Sequence, residues 1–194
     1  MSAIQSICVY CGSSLGHDER YREAASRFGR ALAIHKIRLI YGGGRIGLMG
    51  QVADAALEAG GKVVGVIPES LETLERSHRG LTELRVVRSM HERKNLMFEM
   101  ADAFVVLPGG LGTLDEAIEM ITWRQLGVHD KPIAFADIAG YWAPFIGLVD
   151  NIVDRGFARP DVRQHYLIIA DIDQVVPTLL RQPAPSIPQE PQRL

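Results

Sequence analysis

Ala103-Phe104-Val105-Val106-Leu107-Pro108-Gly109-Gly110-Leu111-Gly112-Thr113-Leu114-Asp115-Glu116 is the stretch whose reading decides the fold. Five apolar residues in succession fit a strand buried on both faces. Pro108 cannot donate to a sheet ladder and stops it. A glycine-rich turn then delivers Thr113 to an amphipathic stretch that runs to residue 126 and is expected to be helical. Strand, glycine turn and helix together form the building unit of a parallel sheet.

The same grammar recurs on both sides. Short apolar runs at 6–10, 38–41, 62–67 and 83–87 predict four earlier strands, and 133–136 and 166–170 predict two later ones. Helices are expected at 20–35, 48–59, 91–100, 142–155 and 172–180. In the first of these, Tyr21, Ala24, Ala25, Phe28, Ala31 and Leu32 lie at helical spacing and form one apolar stripe. Gly60-Gly61 supplies a favoured stop for the second. Alternating units of this length imply an α/β protein: a Rossmann-like parallel sheet with helices on both faces, in three layers. Residues 1–182 are expected to form a single α/β domain. Residues 183–194 carry Pro183, Pro185, Pro188 and Pro191 among polar neighbours and are expected to be a disordered tail.

Composition narrows the function. A length of 194 residues supports one domain with a full core. A net charge of -2 argues against a nucleic-acid partner, whose domains carry a basic excess. Two cysteines exclude a disulfide-dense scaffold and a four-thiolate zinc site. No apolar run approaches the roughly 20 residues of a membrane span. The first residues lack the basic start and apolar stretch of a signal peptide, so the chain is expected to be cytoplasmic, with no membrane partner. Cys8 and Cys11 match C-x-x-C, but Cys8 lies inside a strand pattern and the two thiols should point to opposite faces, which disfavours a redox pair.

In open parallel sheets ligands bind beyond the carboxyl ends of the strands. Five post-strand segments should therefore converge on one cleft: 11–14, 42–47, 68–69, 89–94 and 108–113. Gly42, Gly44 and Gly47 match G-x-G-x-x-G, a weak phosphate-binding signal that is also consistent with tight packing alone. Glu69 stands roughly where a dinucleotide fold places its ribose-binding carboxylate. The second glycine turn is not a Walker A loop, since no lysine precedes Thr113. Thr113 and Glu116, like Ser89 and Glu92, have capping-box spacing. Arg93 and Lys94 fall early in a helix, where cations oppose the dipole. An anion nearby would offset this; pairing with Glu92 or Glu99, or solvation, is the structural alternative. Met90 and Met97 are candidates for an apolar slot, though such methionines also serve as core. Among the six histidines no H-E-x-x-H spacing occurs, so no metal is expected.

The residues 108–116 resemble the P-G-G-x-G-T-x-x-E signature of the Lonely Guy family, cytokinin riboside 5'-monophosphate phosphoribohydrolases often mislabelled as lysine decarboxylases. Met90-His91-Glu92-Arg93-Lys94 resembles the second family motif, M-H-x-R-K. Segments 8–14, 41–44, 47–50, 65–68 and 121–123 also fit, and the likeness spans about residues 4–180. It implies a Rossmann-like homodimer that splits the N-glycosidic bond of N6-modified adenosine 5'-monophosphates, and in some members AMP, giving free base and ribose 5-phosphate without a cofactor. By position it implies Arg93 and Glu116 as catalytic, and substrate contacts at Glu75, Lys94, Gly109, Gly110, Leu111, Gly112, Thr113 and Thr122.

That implication fits the chemistry of the residues. Cleavage of a ribosyl C–N bond passes through an oxocarbenium-like centre, which a carboxylate such as Glu116 can stabilise. Arg93 stays protonated, so it is suited to orienting Glu116 or donating charge-assisted hydrogen bonds rather than to acid catalysis. A 5'-phosphate would sit on the N–H groups of Gly110, Gly112 and Thr113. Two other readings stand beside this one: a dinucleotide-dependent oxidoreductase, which lacks a second domain here, and a non-enzymatic nucleotide carrier on the same fold. A pyridoxal-phosphate decarboxylase would need a cleft lysine, and only Lys94 of Lys36, Lys62, Lys94 and Lys131 is expected there.

Overall fold

A computed structural model describes residues 4–72, 77–183 and 185 of the chain. Seven strands form one sheet in the order β4-β3-β2-β1-β5-β6-β7. They are β1 (Ser6–Tyr10), β2 (Arg38–Tyr41), β3 (Val63–Pro68), β4 (Glu83–Val87), β5 (Ala103–Val106), β6 (Ile133–Ala136) and β7 (Leu167–Ile169). Every pairing is parallel, with Ile7 beside both Leu39 and Ala103 at the centre. The expected α/β class is the observed one.

The helices are α1 (Glu19–Ile34), α2 (Gly47–Glu58), α3 (Met90–Met100), α4 (Leu111–Gln125), α5 (Ala143–Asp154) and α6 (Val175–Leu180). The central strands carry apolar residues at every position because each face has its own core. Ile7, Val9, Ala103, Val105 and Leu107 face one cluster, which α1, α2 and α6 cover. Cys8, Tyr10, Phe104 and Val106 face the other, beneath α3, α4 and α5. The alternation follows from the two-residue period of a strand. Cys8 and Cys11 fall in opposite clusters, both buried.

Helix ends follow local chemistry. The Ser89 hydroxyl accepts from the Glu92 N–H at 3.1 Å and starts α3; the Glu92 carboxylate reaches back to the Arg88 N–H at 2.9 Å. Gly60, at φ +79°, turns the chain out of α2. One expectation fails. Helix α4 starts at Leu111, two residues before Thr113, with Gly110 as an N-cap that offers no side chain. Thr113 is therefore the third residue of the helix, and Thr113 with Glu116 do not form a capping box. Of the expected tail only Pro183 and Pro185 are described, and residues 184 and 186–194 lie outside the described residues.

Candidate active site

The chain runs from β1 outward to β4, then returns to the other side of β1 for β5. The connections after β1 and β5 therefore diverge, and this switch point is where parallel sheets open a crevice. A cavity of about 260 Å³ lies there. Cys11, Gly12 and Ser13 line it from the segment after β1, Gly42 from the segment after β2, and Leu71 from beyond β3. Met90 and Arg93 enter from α3, and Gly110 through Thr113, Asp115 and Glu116 enter from the start of α4. Four of the five expected post-strand segments converge; Pro68 and Glu69 do not line the cavity, and Leu71 stands in their place, while Arg93 and Glu116 share it.

Arg93 is the fourth residue of α3 and is only 5% exposed, unusual for an arginine. Its Nη2 donates to the Gly42 carbonyl at 3.3 Å, and its Nη1 lies 3.8 Å from the Met90 sulfur. On the neighbouring strand β1, burial raises the Cys8 thiol far above its ordinary value, and the charge of Glu116 pushes it further while that of Arg93 pulls it back. The Tyr10 phenol is raised in the same way, by burial first and then by the charges of Cys8 and Glu116. Both groups belong to the core cluster under α3 and α4, and burial keeps them neutral there.

The glycine turn is held from below and open from above. The Gly12 N–H donates to the Pro108 carbonyl at 3.0 Å, and the Tyr141 hydroxyl donates to the Gly109 carbonyl at 2.5 Å. A Cβ on Gly109 would meet the Thr113 hydroxyl at 2.2 Å and the Gly12 nitrogen at 2.8 Å, so the turn packs where only glycine fits. Gly110 and Gly112 face open space, and Leu111 is 85% exposed. The Leu114 N–H makes the first helical bond, to the Gly110 carbonyl. The N–H groups of Leu111, Gly112 and Thr113 therefore stand at a bare helix start, the arrangement that receives a phosphate. With the helix starting two residues earlier, the Leu111 N–H joins those of Gly110, Gly112 and Thr113 at this end.

Other sequence-derived candidates lie elsewhere. The Lys94 ammonium sits 2.7 Å from Asp115 Oδ2 and 3.4 Å from Glu119 Oε2 and does not line the cavity. Partial burial works against its charge, but the two carboxylates outweigh it and raise the group. Its partners are on α4, not Glu92 or Glu99. Thr122 is exposed on α4, donates to the Ile118 carbonyl at 2.8 Å, and borders a different recess, beside Phe145 and Leu148. Met97 is 1% exposed and belongs to the core, whereas Met90, 41% exposed, lines the cavity. Glu75 lies outside the described residues. Met49, Leu71 and Tyr141 were not anticipated. Tyr141 follows β6, so the rule that singled out the other post-strand segments also reaches it.

Among the described residues, no group of three or more His, Cys, Asp and Glu side chains is placed to hold a metal ion, and no helix is long and apolar enough to cross a membrane.

Fold and cavity together define a Rossmann-like α/β protein with an anion-ready glycine turn beside a buried arginine and a carboxylate. A family profile described as "Possible lysine decarboxylase" matches residues 49–179. The cytokinin riboside 5'-monophosphate phosphoribohydrolase of Rhodococcoides fascians is 45% identical over 173 residues, 89% of this chain and 87% of that protein. The rice (Oryza sativa subsp. japonica) cytokinin riboside 5'-monophosphate phosphoribohydrolase LOG is 47% identical over 163 residues, 84% of this chain and 67% of that protein. The chain belongs to this family, the Lonely Guy family. The fold is shared more widely. The molybdenum cofactor binding protein of Rippkaea orientalis superposes with a TM-score of 0.68 at 18% identity, covering 92% of this chain and 97% of that one.

Proposed function

We propose that this chain hydrolyses the N-glycosidic bond of adenosine 5'-monophosphates carrying an N6 substituent, and of AMP, releasing the free base and ribose 5-phosphate. Family membership supports the activity. The observation that carries the mechanism is the shared cavity: Arg93 and Glu116 line it together with the open glycine turn.

In this reading the 5'-phosphate rests on the N–H groups of Leu111, Gly112 and Thr113, where the helix dipole favours negative charge. The ribose then lies over the end of β1, with C1' toward Glu116. As the C1'–N9 bond breaks, its electron pair leaves with the base. The Glu116 carboxylate stabilises the oxocarbenium-like centre and orients the water that adds to C1'. The hydroxyl stays on the sugar and the proton ends on the base. Arg93, permanently charged, orients Glu116 and donates to the substrate. Met90 and Leu71 offer the base an apolar flank. Nothing in these steps calls for a metal or redox cofactor.

Lys94 acts at the rim, through the grip it shares with Asp115. Thr122 is assigned its substrate contact through a second copy of the chain. It stands on an apolar face with Ile118, Leu148 and Phe157, the last 88% exposed, and two such faces joined would make the homodimer. Glu75 is retained as a substrate contact on family grounds alone. The enzyme is assigned to the cytoplasm, with a small-molecule substrate and no nucleic-acid or membrane partner.

The test is base release measured by chromatography with isopentenyladenosine 5'-monophosphate, AMP and the unphosphorylated riboside. Release from the monophosphates and not from the riboside supports the reading. Equal turnover of riboside and monophosphate contradicts the phosphate seat, and tight binding without release favours a carrier.

A further inference from the structure

We infer that Gly42 is a positioning residue for this reaction: the missing side chain at position 42 fixes where Arg93 holds its guanidinium. The inference rests on the role of Arg93 given above and deepens it.

A Cβ built on Gly42 would stand 1.9 Å from Arg93 Nη2 and 3.1 Å from its Cζ. The next neighbour, the Met49 sulfur at 3.4 Å, is in ordinary contact. The clash is therefore with one side chain, and that side chain is the buried arginine of the cavity. The backbone does not itself demand glycine here. Among the described residues Gly43 (φ +79°) and Gly47 (φ +60°) have positive φ, and Gly42 does not. The same Nη2 donates to the Gly42 carbonyl, and Nη1 rests against Met90, so the guanidinium is seated between the turn after β2 and the first turn of α3.

The rest of the glycine run serves other ends. Gly43 and Gly47 supply positive φ, and a Cβ on Gly47 would lie 2.2 Å from the Ser13 carbonyl carbon. The Leu48 N–H, one of the amides at the start of α2, donates to the Gly12 carbonyl at 3.0 Å and is already engaged. The glycine run is tied into the fold at this point. It packs the segment after β1 and leaves room for a guanidinium. The clashing atom is the end of a long side chain, so an alanine at 42 can be accommodated by displacing Arg93, and function should suffer more than folding.

The experiment compares the parent with Gly42→Ala, Arg93→Ala and the double variant. Three readouts are taken: kcat for base release, the thermal midpoint, and the Arg93 side-chain Nε–H resonance, assigned by its loss in Arg93→Ala. For Gly42→Ala we expect kcat to fall by about tenfold or more, as displacement of a catalytic group by about 1 Å does. The midpoint should stay within about 4 °C of the parent, and the Arg93 resonance should move. Should Gly42→Ala fail to fold, the double variant must recover the fold, because the space left by the guanidinium accepts the methyl group. An unmoved Arg93 resonance, a kcat equal to that of the parent, or a double variant that does not recover a lost fold overturns the inference. If the parent releases no base, the proposed function fails, while the resonance and the stability comparison still decide the placement of Arg93.

Discussion

The hydroxyl of Tyr141 donates to the carbonyl of Gly109 at 2.5 Å, joining the segment after β6 to the glycine turn after β5. Tyr141 also meets the ring of Tyr21 edge-on, with centroids 5.4 Å apart. The turn that presents its amides to the cavity is thus held at its first glycine by a side chain that does not line that cavity. Tyr141→Phe keeps the ring and removes the donor. We expect a stability loss of about 0.5–1.5 kcal/mol and a rise in KM for the monophosphate that exceeds any fall in kcat. Denaturant unfolding and steady-state kinetics check both. An unchanged KM would mean the turn keeps its place without this bond.

Stability should depend on pH through two buried groups remote from the cavity. Burial lowers His129 from 6.5 to about 4, only partly offset by its bond to the Met120 carbonyl. Burial likewise lowers Lys131 from 10.5 to about 8, its ammonium donating to the Phe98 carbonyl at 2.7 Å and lying 4.0 Å from the Phe98 ring centre. Each group binds its proton less readily folded than unfolded, so stability rises with pH through each window and falls as pH falls. For Lys131 the window runs from about 8 to 10.5. Lys131→Met should abolish the gain in unfolding free energy across that window, and His129→Gln the loss on acidification between 6.5 and about 4. Urea midpoints on either side of each window measure this; variant profiles parallel to that of the parent would refute it.

The apolar face of α4 and α5 should be where two copies meet. Ile118, Leu148 and Phe157 line one recess and are 45%, 53% and 88% exposed, a clustering that monomers avoid. Phe157→Asp should convert a dimer to a monomer in sedimentation equilibrium, and should also lower base release if Thr122 serves the neighbouring cavity. A Phe157→Asp protein that still sediments as a dimer would place the interface elsewhere.

Much of this was legible in the sequence because it is local. Phe104 and Val105 announce a strand buried on two faces, Ser89 and Glu92 announce a helix start, and Gly109 to Thr113 announce a turn at a strand end. What escaped depends on contacts between distant elements. Thr113 looked like a cap, yet the backbone of Gly110 is already at the helix boundary, and a glycine gives no side-chain signal. Lys94 looked free to meet a phosphate, yet Asp115 and Glu119 lie across on the neighbouring helix. The match at Gly42, Gly44 and Gly47 left a phosphate loop and tight packing both open, because close packing and cradling a phosphate select the same residue. Thr122 cannot be placed at a cavity from one chain's spacing when its surroundings are an exposed apolar face.

The central claim is that Glu116 and Arg93 act together on a nucleotide held by the glycine turn, and Glu116→Gln tests it most directly. The amide keeps the shape and removes the charge that meets the oxocarbenium-like centre. Base release from isopentenyladenosine 5'-monophosphate should fall by at least about a hundredfold, with the thermal midpoint and the affinity for the monophosphate preserved. A Glu116→Gln protein that releases base at the parent rate would contradict it.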